Sequence, residues 1–227
     1  MKYKVEKYIG FEGREGIEWS NFWYDNANTY SRQRVLLIGD STSRMVRSAF
    51  AKKLGIPVDL FATSSALDDQ LFVNQLHCFF DESIYKYDVI FVQLGHHARK
   101  NKFGLDYQDC DFDKFSEDLE NLIIYLKQFS NKIVLETIFY SVMPQNMFVL
   151  MLEKFGLMKE KYDNVINHHK DRKNKIIKEI ANKTGCDFCD INTKMLHTKY
   201  IHKDHIHYEP SARNVITSIL SEYVTLA

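Results

Sequence analysis

The stretch that decides the fold is Arg34–Ser43, which reads RVLLIGDSTS. Its four consecutive aliphatic residues, followed by a glycine, are typical of a central parallel strand that is covered on both faces. Gly39 permits a sharp turn after the strand. Because α/β sheets bind ligands at the carboxyl ends of their strands, we expect Ser41 at a ligand-binding edge. The plainer alternative is that Asp40 or Ser41 only caps the helix that follows.

Beyond this strand, short apolar runs alternate with helical patterns. The predicted strands are residues 34–39, 57–63, 88–94, 132–139 and 186–191, and the predicted helices are residues 43–54, 67–82, 113–129, 160–183 and 210–225. The alternation predicts an α/β three-layer sandwich of the flavodoxin-like type, in which a five-stranded parallel sheet lies between two layers of helices.

Three segments need a separate interpretation. Residues 1–33 contain both tryptophans and no clean periodicity, and we interpret them as an arm packed on a main domain formed by residues 34–227. Residues 143–158 are apolar nearly all round and rich in methionine, which predicts a buried helix, with a lid or partner surface as the alternative. The basic run His168–Lys178 is interpreted as the exposed face of a helix.

Charge and composition exclude several classes of function. Lys plus Arg and Asp plus Glu both number 30, so no overall field attracts the chain to nucleic acid or to an anionic membrane. No segment approaches the roughly 20 apolar residues that span a bilayer, and the N-terminus lacks a signal-peptide core. The four cysteines are scattered, which favours a reducing, cytoplasmic setting over a disulfide framework. The composition leaves the oligomeric state open.

A second group of chemically active residues lies near the C-terminus, in the run HKDHIHYEPSA at residues 202–212. Pro210 suits a first helical turn, so Asp204 and His207 fall on the loop before the last helix. A serine hydroxyl needs a base to accept its proton, and that base needs a carboxylate to fix its tautomer. Together with Ser41, these residues can form a Ser-His-Asp triad. By itself the Asp-x-x-His pattern is weak, because Asp204 can simply cap a turn.

The Gly-Asp-Ser turn and the D-x-I-H run together resemble the SGNH (GDSL-like) hydrolase family. The resemblance implies that Ser41 is the nucleophile, His207 the base and Asp204 its orienting carboxylate, with no metal or other cofactor. It implies an esterase that acts through an acyl-serine on a small-molecule or glycan ester, most simply by deacetylating a carbohydrate. An O-acyltransferase that modifies a glycan is the alternative, since proteins similar to this family carry out both reactions.

The oxyanion hole departs from the family pattern. After the third strand the family has Gly-x-Asn-Asp, whereas this chain reads Gly95-His96-His97-Ala98. His97 therefore stands where the resemblance expects an oxyanion-donating asparagine, and an imidazole can still donate one N–H.

After the second strand the family supplies a glycine amide, whereas this chain reads TSSA at residues 63–66. The N–H of Ser64 or of Ser65 then joins that of Ser41 in the expected oxyanion hole. We expect four further residues to line the substrate site: Asp40, Gly95, His96 and Tyr140.

Three rival interpretations stay open. The histidines at 96, 97, 202, 205 and 207, with Asp204, could bind zinc and activate water, although adjacent histidines cannot all face one ion and no HExxH spacing is present. Cys186 and Cys189 form a C-x-x-C pair, but the period of a strand puts them on opposite faces and favours core packing. A sugar- or protein-binding domain that has lost turnover would explain the altered oxyanion blocks.

Overall fold

The fold is described by a computed structural model for residues 18–28, 33–82, 85–97, 111–143 and 147–225. The strands are β1 Ser20–Trp23, β2 Val35–Gly39, β3 Val58–Thr63, β4 Val89–Val92, β5 Ile133–Glu136 and β6 Asp187–Cys189. The helices are α1 Ser41–Leu54, α2 Gln70–Glu82, α3 Phe112–Leu126, α4 Met147–Lys154, α5 Asn164–Thr184, α6 Ile191–Leu196 and α7 Arg213–Ser221, which a short 3-10 turn at Pro210–Ala212 precedes. Residues 1–17 and 29–32 of the expected arm lie outside the described ranges.

The sheet has the strand order β1-β3-β2-β4-β5-β6. Strands β2 to β6 are parallel, which confirms the five parallel strands expected from the sequence. The strand count is corrected to six, because β1 pairs antiparallel with β3 at the edge, with Ser20 opposite Thr63 and Trp23 opposite Leu60. The segment SNFW has only four residues and no apolar alternation, so its pattern did not predict a strand.

Both faces of the sheet are covered, as the unbroken apolar strands predict. Leu36 and Ile38 of β2 pack on the side of α2, α3 and α5, whereas Val35 and Leu37 pack on the side of α1 and α7. Successive strand residues point to opposite faces, so a strand buried on both sides is apolar at most positions. The buried Asp59 of β3 is the exception that is paired, since it forms an ion pair with the buried Arg34. The three-layer arrangement expected from the sequence is therefore confirmed.

The methionine-rich segment is not buried, and that prediction was wrong. Helix α4 and the turn after it leave Met147 86% exposed, Phe148 63%, Phe155 70% and Leu157 75%. An all-round apolar helix is buried only where other elements cover it, and this one extends from a bridge between Val142 and Tyr162. None of the helices in the described ranges combines the length and apolar character needed to cross a bilayer.

Candidate active site

The fold brings together three side chains that are far apart in the sequence. Ser41 is the first residue of α1, directly after β2, and its Oγ lies 2.6 Å from Nε2 of His207. On the other side of that ring, Nδ1 lies 3.0 Å from each carboxylate oxygen of Asp204. An Nδ1–H that donates to the carboxylate leaves the Nε2 lone pair facing the serine hydroxyl. This is the hydrogen-bonding order of a Ser-His-Asp triad.

The three-residue spacing of Asp204 and His207 forms a tight turn. Asp204 Oδ1 accepts hydrogen bonds from the backbone N–H of Ile206 at 3.0 Å and of His207 at 2.8 Å. Partial burial raises the pKa of the Asp204 carboxyl, but these two amides and the adjacent His207 ring outweigh it and hold the pKa below its ordinary value. The carboxylate therefore stays charged while it orients the imidazole.

The serine is held by its immediate neighbours. Asp40 caps α1, since its Oδ1 accepts from the N–H and the hydroxyl of Thr42 at 2.8 Å each. A Cβ on Gly39 would lie 2.1 Å from Ser43 Oγ and 2.9 Å from the backbone oxygen of Gln93, so a larger residue here requires the neighbouring strand to shift. Because Asp40 is 2% exposed and turned into the helix end, its expected place in the lining of the substrate site is corrected to that of a buried cap.

The two expected backbone donors after β3 already have acceptors within the protein. The N–H of Ser64 donates to the Trp19 carbonyl at 3.1 Å, and the N–H of Ser65 donates to Thr63 Oγ1 at 3.0 Å. The first of these bonds continues the pairing of β1 with β3, which the sequence pattern did not predict. We therefore correct the expectation that the Ser64 or Ser65 N–H is available to an oxyanion.

The turn after β4 has an unexpected partner in Lys170 of α5. Lys170 is 1% exposed, and its Nζ lies 2.8 Å from the Phe139 carbonyl, 2.7 Å from Ser141 Oγ and 3.3 Å from His96 Nδ1. Burial lowers the pKa of Lys170 to about 7. The expectation that the basic run is an exposed face was therefore wrong for Lys170 and for Lys173, which is 3% exposed.

These lysines hold the residues expected to bind substrate. Lys173 Nζ donates to the Gly95 carbonyl at 2.8 Å, and Gly95 has a φ of +126°, which favours glycine. Burial first, and then the adjacent Lys170 charge, hold the pKa of His96 well below its ordinary value, so its ring is neutral. His96 is 6% exposed and lies against Lys170, which corrects the expectation that it lines the substrate site. His97, which follows it, is half-buried.

Tyr140 and the remaining histidines have structural partners. The Tyr140 hydroxyl is hydrogen-bonded to Asp171, and burial followed by this carboxylate raises the pKa of the phenol. His202 Nδ1 lies 3.2 Å from both oxygens of Glu160. The imidazole of His205 contacts the Val142 carbonyl.

Four of the candidate histidines therefore contact different partners, namely His96, His202, His205 and His207. Within the described ranges, no three His, Cys, Asp or Glu side chains are arranged to hold a metal ion. Cys186 and Cys189 pack on opposite faces of the sheet, as the strand period predicted.

A small pocket of about 20 Å³ lies beside His207. Met45 of α1, Phe139 after β5 and Tyr208 contribute apolar surface to its lining. A volume of this size holds one water-sized group.

Comparison with known proteins identifies the fold class. No protein-family profile matches the chain, and no curated protein matches its sequence significantly. Among solved structures, it is similar to a catalytic mutant of Axe2, an acetylxylan esterase from Geobacillus stearothermophilus, at a TM-score of 0.58 and 14% identity over 87% of this chain and 96% of that one. The acetyl xylan esterase AlAXEase gives a TM-score of 0.58 at 17% identity, with 85% and 100% covered.

A third similar structure is a candidate SGNH hydrolase from Slackia heliotrinireducens, at a TM-score of 0.57 and 14% identity, with 85% and 99% of the two chains covered. The chain therefore has the fold of the SGNH hydrolases. At these identities the similarity defines the fold and leaves the reaction to be argued from the site.

Proposed function

We propose that this protein is a serine-dependent O-acyl ester hydrolase that deacetylates a carbohydrate through an acyl-serine intermediate. The observation that carries the proposal is the contact of Ser41 Oγ with His207 Nε2 at 2.6 Å, with Asp204 3.0 Å behind the ring. This contact joins residues 166 positions apart. Two of the similar structures are acetylxylan esterases, which supports an acetylated carbohydrate as the substrate class.

The reaction follows from the order of these groups. His207 Nε2 accepts the Ser41 proton as Oγ attacks the ester carbonyl, and Asp204 stabilises the resulting imidazolium. The tetrahedral intermediate collapses, the C–O bond to the alcohol breaks, and the alcohol leaves with the proton from His207. Water then attacks the acyl-serine with His207 again as base, which releases the acid and restores the serine. Acid–base assistance of this kind contributes roughly 100- to 10,000-fold in rate.

We assign the oxyanion donors to the Ser41 N–H and the His97 side chain. The Ser41 amide lies at the N-terminus of the 14-residue helix α1, whose dipole favours negative charge there. His97 follows β4, the neighbour of β2 in the sheet. Loss of one oxyanion donor typically costs about 100- to 1000-fold in rate, so His97→Ala should lower kcat by about this factor.

The similar structures support a short acyl group, because two of them are acetylxylan esterases. We therefore expect 4-nitrophenyl acetate to be cleaved at a higher kcat/KM than the butyrate ester.

The proposal is tested by measuring acetate release from acetylated xylooligosaccharides and from 4-nitrophenyl acetate. Ser41→Ala and His207→Ala should each lose on the order of 10⁴- to 10⁶-fold in kcat. Ser48→Ala is the matched control, because Ser48 lies on the same helix and is exposed. Acetyl transfer to an added sugar, measured in the same reactions, distinguishes the acyltransferase alternative. Turnover at the wild-type rate in Ser41→Ala would refute the assignment, and the absence of turnover in the wild-type protein would favour a binding domain.

A further inference from the structure

We propose that Trp19 and Trp23, backed by Arg44 and Arg47 of α1, form a carbohydrate-binding subsite that extends from Ser41 along the outer side of α1. This inference rests on the proposed function, because the subsite would bind the sugar units of the glycan beyond the one that carries the reacting acetyl group.

The pairing of β1 with β3 fixes the start of this subsite near the nucleophile. The Trp19 N–H donates to Ser64 Oγ at 2.8 Å, and its carbonyl accepts from the Ser64 N–H at 3.1 Å. Ser64 follows the end of β3, and β3 pairs with β2 so that Ala62 lies opposite Gly39. Trp19 and Ser41 therefore both lie at the carboxyl ends of the parallel strands. Two strand spacings, or roughly 10 Å, separate them.

The two tryptophans lie on the same side of the arm. Residues four apart on an extended chain share a face. The packing supports this alternation. Trp19 packs with the α1 side of the core, whereas Phe22 and Tyr24 pack on the α2 side. Both indole rings therefore face α1.

Each ring has an arginine against it. The guanidinium carbon of Arg44 lies 5.0 Å from the centre of the Trp19 ring, and that of Arg47 lies 4.4 Å from the Trp23 ring. Arg44 and Arg47 are three residues apart, so they lie on one face of α1. They follow Ser41 by about one and two helical turns. The result is a row of two tryptophan–arginine pairs that begins one helical turn from the nucleophile.

The exposure and chemistry of this row suit a sugar chain. Trp23 remains 46% exposed although one of its faces carries Arg47, and Arg44 is exposed. An open indole offers a flat apolar surface to the C–H face of a sugar ring, and a guanidinium offers several N–H donors to its hydroxyls. Arg47 is also held by the Val58 carbonyl at 3.1 Å and by Asp25 at 3.4 Å, so its side chain is already ordered before a ligand arrives.

Intrinsic fluorescence gives a direct binding test, because the chain has only two tryptophans and both belong to this row. Ser41→Ala protein, which should not consume the ligand, is titrated with acetylated xylooligosaccharides of increasing length. We expect a saturable change in emission that becomes tighter as the oligosaccharide lengthens past one unit. Xylose alone should give no saturable change at the same concentrations. An unchanged spectrum with every oligosaccharide would overturn the proposal.

A kinetic test separates the subsite from the reaction. Trp23→Ala should lower the ratio of kcat/KM on an acetylated xylotetraose to kcat/KM on 4-nitrophenyl acetate by about tenfold, mainly through KM. Trp23→Tyr, which keeps an aromatic ring, should restore most of the ratio. Phe148→Ala is the control, because this exposed aromatic residue lies on α4 and away from the row.

The outcomes distinguish the two proposals. If Trp23→Ala is folded by circular dichroism and keeps the wild-type ratio, the arginine pairs only clamp the arm and the subsite is refuted. If Trp23→Ala fails to fold, the same ratio of kcat/KM values is measured in Arg44→Ala, and a wild-type ratio there refutes the subsite. If Ser41→Ala retains turnover, the proposed function fails whatever the fluorescence titration shows.

Discussion

Replacement of Lys170 by methionine is expected to change how the stability of the protein depends on pH. Lys170 is 1% exposed, and burial lowers its pKa from 10.5 to about 7. Between these two values the unfolded chain binds a proton that the folded protein has lost, so the free energy of unfolding rises with pH. Below about pH 7 both states are protonated, and the group adds no pH dependence.

The size of the effect follows from the two pKa values. A full proton difference is equivalent to about 1.4 kcal/mol per pH unit. From pH 7.5 to pH 9.5, Lys170 should therefore add about 2.5 kcal/mol to the wild-type free energy of unfolding. Lys170→Met lacks this increase, because methionine does not titrate. The variant also leaves Phe139 O and Ser141 Oγ without a donor, at a cost of about 1–3 kcal/mol for each buried acceptor.

The measurement is urea unfolding of wild type and Lys170→Met at pH 7.5, 8.5 and 9.5. The difference in the free energy of unfolding, wild type minus variant, should rise steadily across this range. Lys178→Met, at an exposed position of the same helix, should run parallel to wild type. Parallel curves for wild type and Lys170→Met would refute the claim that Lys170 is buried with its pKa lowered.

Three further predictions concern the site and its surroundings. Asp204→Asn should lower kcat by about 10⁴-fold, since the amide no longer holds the required His207 tautomer, while circular dichroism stays unchanged; kcat within tenfold of wild type would contradict this role. Gly39→Ala should destabilise the protein by about 1–3 kcal/mol in urea unfolding, because its Cβ would lie 2.9 Å from the backbone oxygen of Gln93 as well as 2.1 Å from Ser43 Oγ. An unchanged midpoint would argue against this turn. Phe148→Ser should change the free energy of unfolding by less than about 0.5 kcal/mol, whereas Phe50→Ala in the core should lower it by about 3–5 kcal/mol. Equal losses in the two variants would show that other elements cover α4.

The parallel sheet and the contact between Ser41 and His207 could be predicted from the sequence for different reasons. A strand covered on both faces is mostly apolar, so β2 and β4 are visible as unbroken apolar runs. No local sequence pattern predicts that Ser41 and His207 are in contact, and only the resemblance to the SGNH hydrolase family suggested it. The turn at Asp204 is local, and its three-residue spacing already predicted a compact unit.

The parts that the sequence did not predict depend on long-range contacts. The strand β1 is too short and too exposed to show a period, and its pairing with β3 explains why the Ser64 amide is occupied. Lys170 lies in a basic run, and its burial depends on acceptors that are distant in the sequence, at Phe139, Ser141 and His96. The exposure of α4 could not be inferred from composition, because an apolar helix shows no sign of whether other elements cover it.

The central claim is that Ser41 becomes acylated, and peptide mass spectrometry tests it most directly. The protein is mixed with 4-nitrophenyl acetate, quenched in acid within the first turnovers and digested. In the wild-type protein, we predict an acetyl group on the Ser41 hydroxyl of the peptide that contains it. The corresponding peptide of Ser41→Ala should carry no acetyl group, and acetylation of Ser41 in His207→Ala should be much slower. Acetate release without any label on Ser41, or a label on another residue that persists in Ser41→Ala, would contradict the account.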